Sequence, residues 1–304
     1  MARRIERDES GIESVRRIVR RETKKALKLL GSGRQPRDVA VHDARKQIKK
    51  ARAALRLIRK PLGERRYRRA NEGLRDAARP LGAIRDAKIL VEAFDQLVGN
   101  GNGEADPSPA LRRVREALVG HQLRVRTRLF RGPRPLEPSR KALRSVRQRA
   151  RKWAEGNDGW SALGPGVRRV YRAGRKQLAT VRRRASDEAL HEWRKQIKYL
   201  WQQLEILAPI APSSLAKMGR QAHRVSEHLG QDHDLAVLKA RLSRSNGKVS
   251  KSSLREISRV MGPAREELRG KAMALGERLY AQKPRQFVKR LEKRWRAWRQ
   301  RWAR

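Results

Sequence analysis

The chain has 304 residues and carries 78 Lys and Arg against 31 Asp and Glu, a formal charge of +47. Such a field repels itself and draws polyanions, and 57 Arg against 21 Lys favours forked contacts to phosphate oxygens. The absence of cysteine excludes disulfides and thiolate chemistry, and no run of about 18 uninterrupted apolar residues is present to span a bilayer.

The start, MARRIERDESGIES, lacks the apolar stretch of a signal peptide, so the expected location is the cytoplasm. A first helix follows, with Arg16, Arg20 and Lys24 at i, i+4 and i+8, and the segment Gly31 to Pro36 closes it. In the second helix Val41, Ala44, Ile48, Ala51, Leu55 and Ile58 recur at spacings of three and four, a stripe that faces a core. With His42 set at zero and about 100° per residue, that stripe centres near roughly 210°, while Arg45, Lys46, Lys49, Lys50, Arg52 and Arg56 fall between roughly 280° and 80°. An exposed helix ordinarily mixes Glu with Lys to relieve repulsion, yet no acid interrupts this face from Arg45 to Arg59. Pro61 to Glu64 ends the second helix. LGAIRD stands at Leu81 to Asp86, Gly99 to Pro109 reads as a loop, and Gly132 to Pro138 and Gly156 to Gly166 punctuate the middle.

Much of this then happens again. LHEWRKQIKY from Leu190 repeats VHDARKQIKK from Val41 at six of ten positions, and Leu190, Trp193, Ile197, Leu200, Leu204 and Leu207 restore the apolar frame. Arg16, Arg20 and Lys24 map onto Arg168, Arg172 and Lys176. Leu81, Gly82 and Asp86 map onto Leu229, Gly230 and Asp234, and REALVGHQLRVRTRLF from Arg115 maps onto REELRGKAMALGERLY from Arg265. A period of about 150 residues is the size of a domain rather than of a solenoid repeat. The expected organisation is one domain over 1–304 made of two repeats, 1–157 and 158–304, with the junction near residue 158. Pro209 to Ser213 and Ser243 to Ser253 read as breaks in the second repeat, and Ser253 with Glu256 has the spacing of a capping box. Phe287, Leu291, Trp295, Trp298 and Trp302 form a further core frame. Alternating strands are absent, so the sequence predicts an all-α protein with four or five helices per repeat, packed as bundles.

The pattern H-x-x-R-K-x-x-K-K-x-R from His42 to Arg52, followed by L-G-x-x-R-D from Leu81 to Asp86, resembles the CHAD (conserved histidine α-helical) domain family. His191 to Lys198 and LGQDHDLAVL from Leu229 to Leu238 carry the resemblance through the second repeat. It implies two four-helix bundles related by pseudo-two-fold symmetry around a basic central pore that binds inorganic polyphosphate. On that resemblance His42, Arg45, Lys46, Lys49, Lys50 and Arg52 line the pore from one side and His191, Arg194, Lys195 and Lys198 from the other, with the Arg16 and Arg168 triplets as neighbouring walls. The second side departs from the pattern: Tyr199 and Trp201 stand where Lys50 and Arg52 stand in the first, and His233 replaces Arg85, so a lopsided site is expected. A bound anion favours imidazolium, from which tighter binding at pH 6 than at pH 8 is expected if the two histidines are ligands.

Other readings compete. The charge suits non-specific nucleic-acid binding equally well, but no reading motif is present, and Trp193 and the C-terminal tryptophans sit in core frames rather than on a stacking surface. An enzyme is not expected: there is no phosphate-binding G-x-x-x-x-G-K-[ST] loop, HEWRK is not H-E-x-x-H, and no E-x-E-x-K strand motif occurs. His223, His228, Asp232, His233 and Asp234 form the one candidate metal cluster, and with it a metal-dependent phosphohydrolase. Its position inside the L-G motif favours helix packing instead, so no metal and no cofactor are expected. A place on the surface of polyphosphate granules is compatible with polyphosphate binding, and membrane-surface attachment is disfavoured because the apolar stripes belong to bundle cores.

Overall fold

The computed structural model describes residues 4–31, 38–101, 108–132, 134–153, 159–244 and 250–300. Every apolar stripe read above becomes a buried helix face. The described residues form α1 (Gly11–Leu29), α2 (Asp38–Leu57), α3 (Arg59–Leu62), α4 (Glu64–Ala78), α5 (Pro80–Gly101), α6 (Pro109–Phe130) and α7 (Glu137–Ala150). There follow α8 (Trp160–Arg183), α9 (Asp187–Leu207), a 3-10 turn (Ala208–Ile210), α10 (Pro212–Ser243), α11 (Lys251–Leu279) and α12 (Pro284–Gln300). No strand occurs among them, so the fold is all-α, and no helix is long and apolar enough to cross a membrane.

Local chemistry sets the ends. Ser10 caps α1 reciprocally with Glu13, the Glu13 N–H donating to Ser10 Oγ at 3.0 Å and the Ser10 N–H donating to Glu13 Oε2 at 2.8 Å. Proline divides α4 from α5. Pro80 has no N–H and cannot continue the ladder, and the Gly82 N–H bonds the Arg79 carbonyl at 3.0 Å instead of reaching one residue further back. His228 holds the matching place in the second repeat, so α10 runs unbroken where α4 and α5 are two helices.

Two buried cores hold the helices, and they are not divided along the repeat boundary. The larger draws on α1, α2, α4, α7, α8, α9, the first half of α10 and α12, with Val41, Ala44, Ile48, Ala51, Leu55, Trp193, Ile197 and Leu200 fully enclosed. The smaller is a four-helix arrangement to which each repeat contributes a hairpin: Leu90, Phe94 and Leu97 of α5, Val114 and Leu118 of α6, Leu235 and Leu238 of α10, Ile257 and Met261 of α11. The sequence led to one bundle per repeat. Hydrophobic periodicity identifies the face a helix buries but not the helix it meets, and here α5 pairs with α10 across the duplication.

Several boundaries differ from the sequence reading: α2 already ends at Leu57, and the expected break from Pro61 to Glu64 holds the end of α3 and the start of α4. Gly156 to Gly166 is not a continuous break, because α8 begins at Trp160 and contains Gly164, Pro165 and Gly166. The proposed junction near 158 lies outside the described residues, as does Trp302. At α11 the cap is Ser250, whose hydroxyl accepts from the Ser253 N–H at 3.1 Å, so the helix starts one turn before the expected Ser253 cap. Helix α5 runs to Gly101, past the expected loop start at Gly99.

Gly166 shows why the Gly-Pro-Gly run belongs in a helix. A Cβ there would sit 2.2 Å from the Leu57 carbonyl oxygen and 2.5 Å from its Cα, so α8 meets the end of α2 backbone to backbone. Backbone atoms cannot rotate aside as a side chain does. Gly166→Ala is therefore expected to cost about 1–3 kcal/mol or more in urea unfolding. Gly270→Ala, with nothing within 4 Å of the new methyl, should be neutral or stabilising by up to about 1 kcal/mol. Equal midpoints for the two variants would contradict the close approach.

Candidate anion-binding site

Helices α2 and α9, which carry the repeated motif, pack against each other, α2 also meeting α5 and α9 meeting α10. With their apolar stripes buried, residues one turn apart on the opposite faces, Arg45 and Lys49 on α2 and Arg194 and Lys198 on α9, are brought to one place. The Lys49 amine feels Arg45, Arg194 and Arg85, with Asp86 opposing them. Lys198 feels Arg194, Lys49 and Arg85, with Asp234 opposing. Five cations from three helices thus meet three carboxylates, the third being Glu92, which accepts from Arg85 Nη1 at 2.6 Å. Burial first, and then this crowding, pushes Lys49 down to about 8 and Lys198 down to about 6. Lys49 is nevertheless open to solvent and Lys198 half-buried, a combination that arises where protein surrounds a side chain on most sides without covering it, as on a concave wall.

The L-G motif has a steric role at this place. A Cβ on Gly82 would lie 3.1 Å from Arg45 Nη1, and one on Gly230 would lie 3.0 Å from Arg194 Nη2. In both repeats the glycine lets the motif arginine run across the helix that follows, which explains why the two motifs travel together. The two arginines then differ. Arg45 Nη1 donates to the Ala78 carbonyl at 3.3 Å, an acceptor released by the break at Pro80. Arg194 crosses the unbroken α10, where no such carbonyl is released. Both Nε atoms are enclosed without a hydrogen-bond partner among the described residues.

Both histidines border the cluster. His42 is half-buried, and burial lowers its pKa, helped by Arg85, Lys46 and Lys49 against Asp43. His191 is lowered by burial, then by Lys195, Arg194 and Lys198, with Glu192 opposing. Its Nδ1 is enclosed without a partner, and its ring centroid lies 4.7 Å from that of His233. Burial and the neighbours Arg194, His191 and Lys198 take His233 down to about 4.

Other expected site residues stand outside the group of five cations, Lys46 and Lys195 beside the two histidines. Lys46 is exposed, and Lys195 is held by Glu192 at 2.7 Å. Lys50 is half-buried. Arg52 donates from Nε to Asn71 Oδ1 of α4 at 3.1 Å. The lopsidedness expected from Tyr199 and Trp201 has a structural counterpart: Arg56 lies 3.7 Å over the Tyr199 ring, and Trp201 turns to His223, ring centroids 4.1 Å apart. Arg16, Arg20 and Lys24 line a groove of about 340 Å³ against Arg147 of α7 instead of joining Lys49 and Lys198. On α8, Arg168 keeps an enclosed Nε while Arg172 and Lys176 are exposed.

The candidate metal cluster is dispersed around α10. Asp232 is buried and bound by Arg265 Nε at 2.8 Å and Arg269 Nε at 2.9 Å. His223 reaches Glu227 at 3.2 Å, His233 turns to His191, and Asp234 faces Arg194. Among the described residues no three His, Asp or Glu side chains gather as a ligand set. Arg85, by contrast, is central to the cluster yet was singled out in the sequence only as a position where the repeats differ. Its signal was its place beside Asp86, three residues beyond the glycine that Arg45 crosses.

A family model described as CHAD domain matches residues 15–243, a span that includes both motif helices and the α5 and α10 segments facing them. No curated protein matches the chain.

Proposed function

Since the chain belongs to the CHAD domain family, we propose that it binds inorganic polyphosphate, without chemistry, in a basin between the duplicated helices α2 and α9. One observation carries this reading: Arg45, Lys49, Arg85, Arg194 and Lys198 converge with three carboxylates to offset them, Asp86, Asp234 and the Glu92 that accepts from Arg85 Nη1 at 2.6 Å. A flexible chain with about one charge per phosphate supplies the counter-ions that the protein does not. Arg45 and Arg194 give forked donors, Lys49 and Lys198 give mobile point charges, and His42 and His191 donate at the rim once protonated. Release of condensed ions makes affinity fall with log[salt], as it does for nucleic acids. The two repeats act as pseudo-two-fold halves of one pore. The protein works in the cytoplasm, and polyphosphate granules are where such a site would hold it.

The test changes few charges in many. Lys46, Lys49, Lys195 and Lys198 are 4 of 78 cations, and converting all four to Gln is expected to weaken polyphosphate binding by well over tenfold in titration at physiological salt. Lys49→Gln with Lys198→Gln should account for most of the loss, and Lys46→Gln with Lys195→Gln for little. Equal and marginal losses would mean diffuse adhesion. Duplex DNA, lacking a chain thin and flexible enough to enter the basin, should compete poorly, whereas full competition would favour the nucleic-acid reading.

A further inference from the structure

A second concavity, of about 860 Å³, lies between the C-terminal half of α9 and the start of α10, away from the lysine cluster. No residue of α12 lines it, although the counterpart α7 fills the corresponding side of α4 in the first repeat. Its apolar floor is flat. Leu204 and Leu215 are each only 1% exposed, so the accessible apolar surface belongs to the half-buried Trp201 and to the exposed Ala216, with the buried Gly219 one turn on. Nothing lies within 4 Å of the position a Gly219 Cβ would take, which leaves room for a side chain on the α10 wall of the groove.

The rim is cationic. Arg220 and Arg224, both exposed, stand at i and i+4 and so project side by side. Arg4 approaches from the N-terminal segment, which is pinned beside α9 by the Ile5 N–H donating to the Ile206 carbonyl at 3.1 Å. None of the three makes an ion pair among the described residues. Glu205, one turn along α9 from Trp201, belongs to the same wall.

We infer that this groove binds a nucleoside polyphosphate, its base packed against the paired rings of Trp201 and His223 beside Gly219 and its phosphates gripped by Arg220, Arg224 and Arg4. The shape separates this ligand from two others. An alkyl anion needs accessible aliphatic surface, which Leu204 and Leu215 do not offer, and a bare phosphate chain has no use for an indole wall. The volume falls in the range of small-molecule sites, about 300–1,000 Å³. The inference does not rest on the polyphosphate reading.

Calorimetric titration with ATP and with inorganic tripolyphosphate tests it, on the full chain carrying Lys49→Gln and Lys198→Gln to suppress the other site. ATP is expected to bind at least about fivefold tighter than tripolyphosphate, the lower end of what base stacking on an aromatic side chain supplies. Gly219→Leu fills the space on the α10 wall and should erase that preference. Ala216→Leu, at an exposed position that cannot disturb the core, should reduce it as well. Arg220→Gln with Arg224→Gln should weaken both ligands at least tenfold. Equal affinity for ATP and tripolyphosphate, or an ATP affinity unmoved by both leucine variants with helicity intact, overturns the assignment.

Discussion

Polyphosphate is expected to bind roughly tenfold to a hundredfold tighter at pH 6 than at pH 8, with protons taken up from solvent on binding. In the empty protein Lys198 sits at about 6 and Lys49 at about 8, through burial first and then the neighbouring cations. The groups facing Lys198 are Arg194 and His191 on its own helix, Lys49 on α2, Arg85 on α5, and Asp234 and His233 on α10. A bound polyanion reverses the balance of that list, so both amines return toward their ordinary values in the complex. At pH 8 Lys198 must therefore gain a proton to bind, whereas near pH 6 it is already half-charged. A group that titrates this way changes affinity by up to about tenfold per pH unit between its free and bound pKa values. Lys49 adds to the slope above about pH 8. His42 and His191, lowered by burial and cationic neighbours, contribute mainly toward the acid end.

Stability of the free protein should move the other way. Lys198 has a folded pKa below its unfolded one, so the unfolded chain binds more protons between the two and stability falls as pH falls through that window. The melting-temperature increase produced by polyphosphate should then be larger at pH 6 than at pH 8, although the unliganded protein melts lower. Lys198→Gln should flatten the pH dependence of binding, while the double variant His42→Gln and His191→Gln should retain most of it. Affinity that is flat from pH 6 to pH 8 in the unmodified protein would remove the buried amines from the mechanism.

The lysines also show how far sequence reaches. Wheel angle alone put Lys46, Lys49 and Lys50 on one basic face, and the duplication marked Lys195 and Lys198 as their counterparts. Which of them converge depends on neighbours the wheel does not contain. Lys49 and Lys198 lie where α2 and α9 also meet α5 and α10, whereas Lys46 is exposed and Lys195 is tied to Glu192. The α1 triplet fails as a wall of the site for the same reason: its periodicity was right, but the helix it faces is α7. Core stripes were fully legible, since burying apolar area determines a face without regard to the partner. Pairing of α5 with α10 across the repeats was not, because both helices show the same stripe to any partner.

The largest effect on stability is expected at Asp232, which the sequence grouped with metal ligands. It is 2% exposed and accepts from Nε of both Arg265 and Arg269, while Asp187, half-exposed at the start of α9, accepts from their Nη2 atoms at 2.5 and 2.8 Å. The network ties α9, α10 and α11 together. Asp232→Ala leaves two partly buried guanidinium groups sharing one half-exposed carboxylate, and breaking one partner of a buried ion pair costs about 3–5 kcal/mol. Asp187→Ala, in more solvent-screened surroundings, should cost about 1 kcal/mol or less. The first repeat indicates how to recover the loss. Ile84 stands where Asp232 stands, Val119 where Arg269 stands, and Arg115, the counterpart of Arg265, is paired with Asp95 at 2.8 Å. Ile84 is buried in the larger core and Val119 packs at the edge of the smaller one, so the two repeats fill the same pair of positions with apolar residues in one and ions in the other. Replacing a buried ion pair by apolar residues of similar volume is often neutral or better, so Asp232→Ile combined with Arg269→Val, with Arg265 left to Asp187, should regain most of what Asp232→Ala loses in urea unfolding. A double variant as unstable as the single one would mean that the second repeat depends on the charges themselves, and that the two hairpins are not packed alike.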